Sequence, residues 1–196
     1  MSKATARRAC IVGLAGGSAS GKTTIADELE TQLCDLRVTT MHMDSYFLRV
    51  KPAMVAPYTG EVFEDHNHPA SFDLGAMVSD LDALASTGHW DVIIVEGLLT
   101  LQHEPLRQRL DLRLFVDAHS DERIVRRVRR SMARGASYDD TTRFYLQSVR
   151  YRHDEFVEPS RWHADLILNG AYPSQRGLAA VEGWIRSWVA RGEGDE

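Results

Sequence analysis

Gly16-Gly17-Ser18-Ala19-Ser20-Gly21-Lys22-Thr23 fits the pattern G-x-x-x-x-G-K-[ST], and its flanks decide what the chain becomes. Before it, Cys10-Ile11-Val12-Gly13-Leu14 is a short apolar run suited to a buried strand. After it, Ile25, Leu29 and Leu33 recur at helical spacing. Strand, glycine-rich turn and helix together make a cradle for a phosphate chain. Gly16 and Gly21 let the backbone wrap so that successive N–H groups point inward, and the helix beginning near Lys22 adds the positive end of its dipole. In such a cradle the whole run Gly16, Gly17, Ser18, Ala19, Ser20, Gly21, Lys22, Thr23 and Thr24 binds the nucleotide. Lys22 reaches the β- and γ-phosphates, and the Thr23 hydroxyl ligates Mg²⁺. A glycine-rich surface turn with a solvated lysine is the competing reading, and the flanks weigh against it.

Outward from this loop, apolar strands alternate with helices. Arg37 to Met43 reads as a second strand, Asp91 to Glu96 as a third, Leu112 to Asp117 as a fourth and Asp165 to Leu168 as a short last one. Helices are expected after Ser71 or Asp73, from Ser120 to Ala133, from Asp139 to Phe156 and over about 174–191. Continuously apolar strands between helices indicate an α/β domain with a parallel sheet of about five strands covered on both faces. The polar stretch Asp44 to Ala70 is too long for a plain connector and reads as a functional or mobile loop. At 196 residues, with no repeat or splitting linker, a single domain over 1–196 is expected. Gly192 to Glu196 are expected to fray.

Composition narrows the partners. A net charge of −5 argues against wholesale nucleic-acid coating. Cys10 and Cys34 form no metal spacing and read as reduced core or near-core thiols. Met1 to Arg8 is polar with no apolar stretch behind it, and no run is long enough to span a bilayer. The expectation is a cytoplasmic protein with no membrane partner, its oligomeric state open and a homo-oligomer among the options.

Ligands of open parallel sheets sit beyond the carboxyl ends of the strands, where Asp44, Glu96 and Asp117 stand. Glu96 and Asp44 are the metal candidates beside Thr23, while Asp117 reads rather as a cap for the next helix or a surface group. At about 100° per residue, Arg123, Arg127, Arg130 and Arg134 share one face of their helix, opposite an apolar side of Ile124, Val128 and Met132. No acid inside the helix pairs with this stripe, which suits a lid over phosphates across about 121–150. His66 reads as a hydrogen-bonding or packing residue. Tyr46, Phe47, Tyr58 and Phe63 either line a pocket or fasten the loop. The tryptophans at 90, 162, 184 and 188 read as core or helix-packing residues.

Together these residues resemble the uridine kinase and phosphoribulokinase family of P-loop kinases. The resemblance rests on residues 16–24, Asp44-Ser45-Tyr46-Phe47, Asn67-His68-Pro69 with Ser71-Phe72-Asp73, Val95-Glu96-Gly97-Leu98-Leu99, the arginines from Arg126 to Arg134, and Ala164-Asp165-Leu166-Ile167. It implies ATP and Mg²⁺ as cofactors, with transfer of the γ-phosphoryl to a hydroxyl of a nucleoside-like or other small metabolite. It also implies a catalytic set of Asp44, Lys22, Arg127, Arg130 and Arg134, a substrate set of Tyr46, Asn67, His68 and Arg127, and a metal set of Thr23, Glu96 and Asp44. The chain departs from the family where uridine kinases read the base. Only Ala85 to His89 separates the second helix from Trp90, Asn67 replaces an aspartate, and Ala136 and Phe144 replace an arginine and a glutamine. An ATPase or nucleotide switch without an acceptor, or a nucleic-acid-binding module using the arginine stripe, are the alternatives. No Asn-Lys-x-Asp motif supports guanine reading.

Overall fold

The computed structural model describes residues 8–192, so the expected fraying beyond Gly192 lies outside the described residues. Five strands form an all-parallel sheet in the order β2-β5-β1-β6-β7. They are β1 (Cys10–Ala15), β2 (Val38–His42), β5 (Val92–Glu96), β6 (Leu112–Asp117) and β7 (Leu166–Asn169). Because side chains alternate along a strand, the sheet has two cores. Ile11, Ile93, Val95 and Phe115 face one way, onto α2 (Leu74–Ser86) through Met77 and Leu81. Val12, Leu14, Ile94, Leu114 and Val116 face the other, onto α1 (Lys22–Gln32) and α7 (Gln175–Arg191). Ile25, Leu29 and Leu33 are buried there, as their helical spacing requires. Truncating Leu29 to Ala should cost about 2–5 kcal/mol.

Two regions differ from the sequence expectation. The stretch expected as an open loop contains a 3-10 turn (Met43–Tyr46) and a small antiparallel hairpin, β3 (Ala53–Val55) with β4 (Val62–Glu64). Gly60, at φ 71°, turns the chain back and its N–H donates to the Ala56 carbonyl. Three-residue strands carry too little alternation to be seen in a sequence. The single helix expected from Asp139 to Phe156 is instead α5 (Tyr138–Phe144), a π turn (Tyr145–Val149), α6 (Arg150–Arg152), a second π turn (His153–Val157) and a 3-10 turn to His163. Its buried residues Tyr145, Val149, His153 and Val157 recur every four positions. A regular helix would carry each one about 40° further off the buried face, and wider turns remove that drift.

The remaining helices are α3 (Glu104–Arg107) and α4 (Ser120–Ala133), the arginine helix, whose bounds match the expectation. Its apolar side is shorter than expected: Val128 is buried, but Met132 is half exposed. Cys10 lies in the core, where burial foremost raises its thiol to about 12, whereas Cys34 is exposed rather than near-core. Trp162 is also exposed, not a packing residue. Among the described residues no helix is long and apolar enough to cross a membrane.

Candidate functional site

The loop between β1 and α1 wraps as its glycines allow. Gly21 caps α1 in the left-handed region at φ 106°, and Ala19 holds a left-handed φ of 63° without being glycine. Strain of that kind concentrates at ligand-gripping loops. No side chain caps α1, so amides at its first turn remain free for a ligand. Gly16, at φ 143°, is required by a close approach, since a Cβ there would collide with the Val116 carbonyl, while Gly17 lies against the Arg123 guanidinium and the His153 ring.

A cavity of about 410 Å³ opens over this loop, lined by residues 18–19 and 21–24, by Asp44 and Glu96, and by Arg126 and Arg130. Lys22 is buried, and its Nζ donates to the Gly17 carbonyl at 3.0 Å. Its nearest carboxylate oxygen, Glu96 Oε1, lies at 3.9 Å. Burial, opposed by Glu96 and Asp44, lowers its pKa. A buried ammonium with so distant a counter-charge suits an incoming anion. His42 Nδ1 holds the other oxygen of Glu96 at 3.1 Å. Thr23, Asp44 and Glu96 share the cavity, and hard oxygen ligands of this kind fit Mg²⁺ beside phosphates. Among the described residues no group of three or more His, Cys, Asp or Glu could hold a metal ion.

Three arginines of α4 turn inward, Arg123, Arg126 and Arg127, while Arg129 and Arg130 are exposed. Arg123 is buried, with Nε donating to the Ala118 carbonyl. Arg126 donates to the Gly170 and Ala171 carbonyls of the β7–α7 loop at 2.9 and 3.0 Å. Arg127 Nη1 donates to Ser18 Oγ at 2.7 Å, and Arg130 Nη2 approaches the same oxygen at 3.4 Å. Burial, then repulsion from Arg130, lowers the pKa of Arg127. Arg134 departs from this group. It is the exposed residue ending α4 and lines neither cavity of the site, because the helix runs past the loop before reaching it.

A second cavity of about 290 Å³ adjoins the first. Ser18, Asp44, Leu98 and Arg130 line both, while Phe47, His66, Asn67, Arg127 and Phe144 line the second alone. Asn67 is buried there and its amide nitrogen has no hydrogen-bond partner. Asp65, fully buried, accepts from the Asn67 N–H at 2.9 Å and from Arg152 Nε at 2.6 Å. That ion pair ties the wall of the cavity to α6.

Two members of the expected substrate set are not in either cavity. Tyr46 turns away, its hydroxyl donating to Asp80 on α2 at 2.8 Å, and burial followed by this bond raises its pKa to about 12. His68 caps a 3-10 turn, its Nδ1 accepting from Ala70 N–H, and stands edge-on to Phe156. In their place the structure brings His66 and Phe144. Asp117 neither caps α4 nor enters the site; it pairs with Arg161 at 3.2 Å. Of the loop aromatics, Phe47 stacks on Phe72 and Phe63 meets Phe144, whereas Tyr58 is exposed. In the sequence Arg126 reads only as part of the lid's arginine run and not as a site residue, and the 170–173 loop is not read at all, although its place beyond a strand end was a usable signal.

Against known proteins, the Phosphoribulokinase / Uridine kinase family profile matches residues 82–174. A uridine kinase of Deinococcus deserti is 31% identical over 205 aligned positions, covering 93% of this chain and 98% of its own. The chain belongs to this family. A uridine kinase of Staphylococcus aureus (strain Newman) is 33% identical, covering 92% of this chain and 97% of its own. A solved structure from Bacillus stearothermophilus, described as a possible uridine kinase, superposes with a TM-score of 0.55 at 18% identity over 85% of this chain and 90% of that one. That likeness supports the P-loop kinase fold alone.

Proposed function

We propose that the protein is an ATP-dependent kinase that transfers the γ-phosphoryl group to a hydroxyl of a small metabolite. The observation that carries this reading is that Asp44 lines both cavities, the one over the glycine-rich loop and the one walled by Asn67 and Phe144. A carboxylate at such a junction can meet the acceptor hydroxyl and the phosphoryl group at once. In this account Asp44 takes the hydroxyl proton while the acceptor oxygen bonds to the γ-phosphorus. The bond to the bridging oxygen breaks, and ADP leaves with its electron pair.

The other residues bind and orient. Main-chain amides of residues 16–24 and Lys22 grip the phosphates, and Lys22 exchanges the Gly17 carbonyl for a phosphate oxygen. Thr23, Glu96 and Asp44 are the oxygen set for Mg²⁺, which when bound neutralises phosphate charge. Arg126 and Arg130 face the phosphates from α4, and the 121–150 region acts as a lid that excludes water. The structure weighs against a nucleic-acid role for the arginine stripe, since two of its four members, Arg123 and Arg127, are engaged inside the fold. An ATPase without an acceptor leaves the second cavity without a use. ADP release measured across a panel of alcohols tests the reading: it should depend on one acceptor class. Release unaffected by every alcohol would contradict it.

A further inference from the structure

Resting on that kinase reading, we infer that the acceptor carries a negative charge of its own, a carboxylate or phosphate seated against Arg127 in the second cavity. The charges around that cavity do not balance. Arg127 and Arg130 present two guanidiniums to it, and the sole carboxylate in its lining is Asp44. Asp44 also lines the first cavity, so its charge is shared between the two. Other nearby acids are already engaged. Asp65 is fully buried on Arg152 and on the Asn67 N–H, and Glu64 is held by Lys51 at 3.1 Å and approached by His66 at 3.4 Å.

Arg127 is the guanidinium that faces only this cavity. Ser18 Oγ accepts from its Nη1, its Nε is buried without a partner, and its charge lies 5.6 Å from the Phe144 ring. None of these contacts is a counter-ion. The unpartnered amide of Asn67, on the wall of the same cavity, is a second polar group that the fold leaves unmet. Arginine's fixed fork matches a carboxylate or phosphate in two parallel hydrogen bonds. Lys22, Arg126 and Arg130 line the first cavity and are placed for the phosphates of ATP, whereas Arg127 lines only the second. The cavity volume, at the low end for ligand sites, suits a compact acceptor.

The test is calorimetry on the full chain saturated with MgADP, titrated separately with ribitol, uridine, ribonate and ribitol 5-phosphate. At least one of the two anions should bind ten or more times tighter than both neutral compounds, with an advantage that shrinks as salt rises. Ribonate preference would identify a carboxylate acceptor, and ribitol 5-phosphate preference a phosphate. Arg127→Gln should erase the advantage of the anions over the neutral compounds. Asn67→Asp, which sets a carboxylate in the same wall, should weaken the anion at least tenfold. Equal binding of all four, preference for a neutral compound, or no binding by any would overturn the inference and leave the kinase reading standing. Failure of MgADP itself to bind would remove both.

Discussion

The cavity over the glycine-rich loop and the cavity beside it share Asp44 and Arg130 but are assembled in different ways. The first is built around one short segment, residues 18–24, which supplies its largest single share of lining, with Glu96 added by the neighbouring strand end. The second is gathered from six separate stretches, around residues 18, 44–47, 66–67, 98, 127–130 and 144. One is a local device that a helix terminus and a left-handed glycine produce by themselves. The other exists only because the hairpin region and the π-turned segment pack together, through Asp65 with Arg152 and Phe63 with Phe144. The generic task, holding phosphates, therefore sits on local backbone geometry. The task that distinguishes one kinase from another sits on tertiary contacts.

The largest effects should separate the cavities chemically. Lys22→Ala should weaken MgADP binding and lower turnover by about 10²–10³-fold, as for loss of a preorganised donor. Asp44→Asn should lower turnover by about 10²–10⁴-fold with MgADP affinity within a few-fold of the parent. Steady-state ADP release and calorimetry read both, and an Asp44→Asn protein that lost nucleotide binding would show that the cavities are not distinct. Breaking the second cavity should instead appear in stability. Arg152→Met strands a buried Asp65 carboxylate and should cost about 3–5 kcal/mol by chemical denaturation. Adding Asp65→Asn should recover part of that loss, because the stranded charge is gone; purely additive losses would contradict the pairing.

Smaller effects sharpen the boundary of the site. Arg130→Ala should lower turnover at least tenfold, whereas Arg134→Ala, on the exposed end of α4, should change it by less than about threefold. Comparable losses from both would mean that α4 closes further than its position here. His153 lies behind Gly17, where burial, then Arg123, lowers its pKa to about 4. With a folded pKa below that of the unfolded chain, the unfolded state binds more protons between these values. Stability should therefore be intact above about pH 6.5 and fall as pH drops toward 4, by roughly 1–3 kcal/mol. Denaturation midpoints of the parent and of His153→Gln across that window check the sign, since the variant should lose less.

The same contrast explains what could be read from the amino acids alone. The sheet, the bounds of α4 and the 16–24 loop were legible because each rests on a local period or a contiguous motif. The hairpin was not, since three-residue strands leave no periodic trace. Arg134 looked equivalent to Arg130 on a helical wheel, yet the helix meets the loop over only part of its length. His68 was favoured over His66, and Tyr46 taken into the substrate set, because neighbouring residues in sequence cannot tell which ring faces a cavity. Asp80, 34 residues from Tyr46, decided one case, and Phe156, 88 from His68, the other.

The measurement that bears most directly on the whole account is a crystal structure with a non-hydrolysable ATP analogue and Mg²⁺. The triphosphate should lie on the amides of residues 17–24, with Lys22 released from the Gly17 carbonyl and the terminal phosphate beside Asp44 at the mouth of the second cavity. A terminal phosphate directed away from Asp44, or a nucleotide seated elsewhere on the sheet, would contradict it.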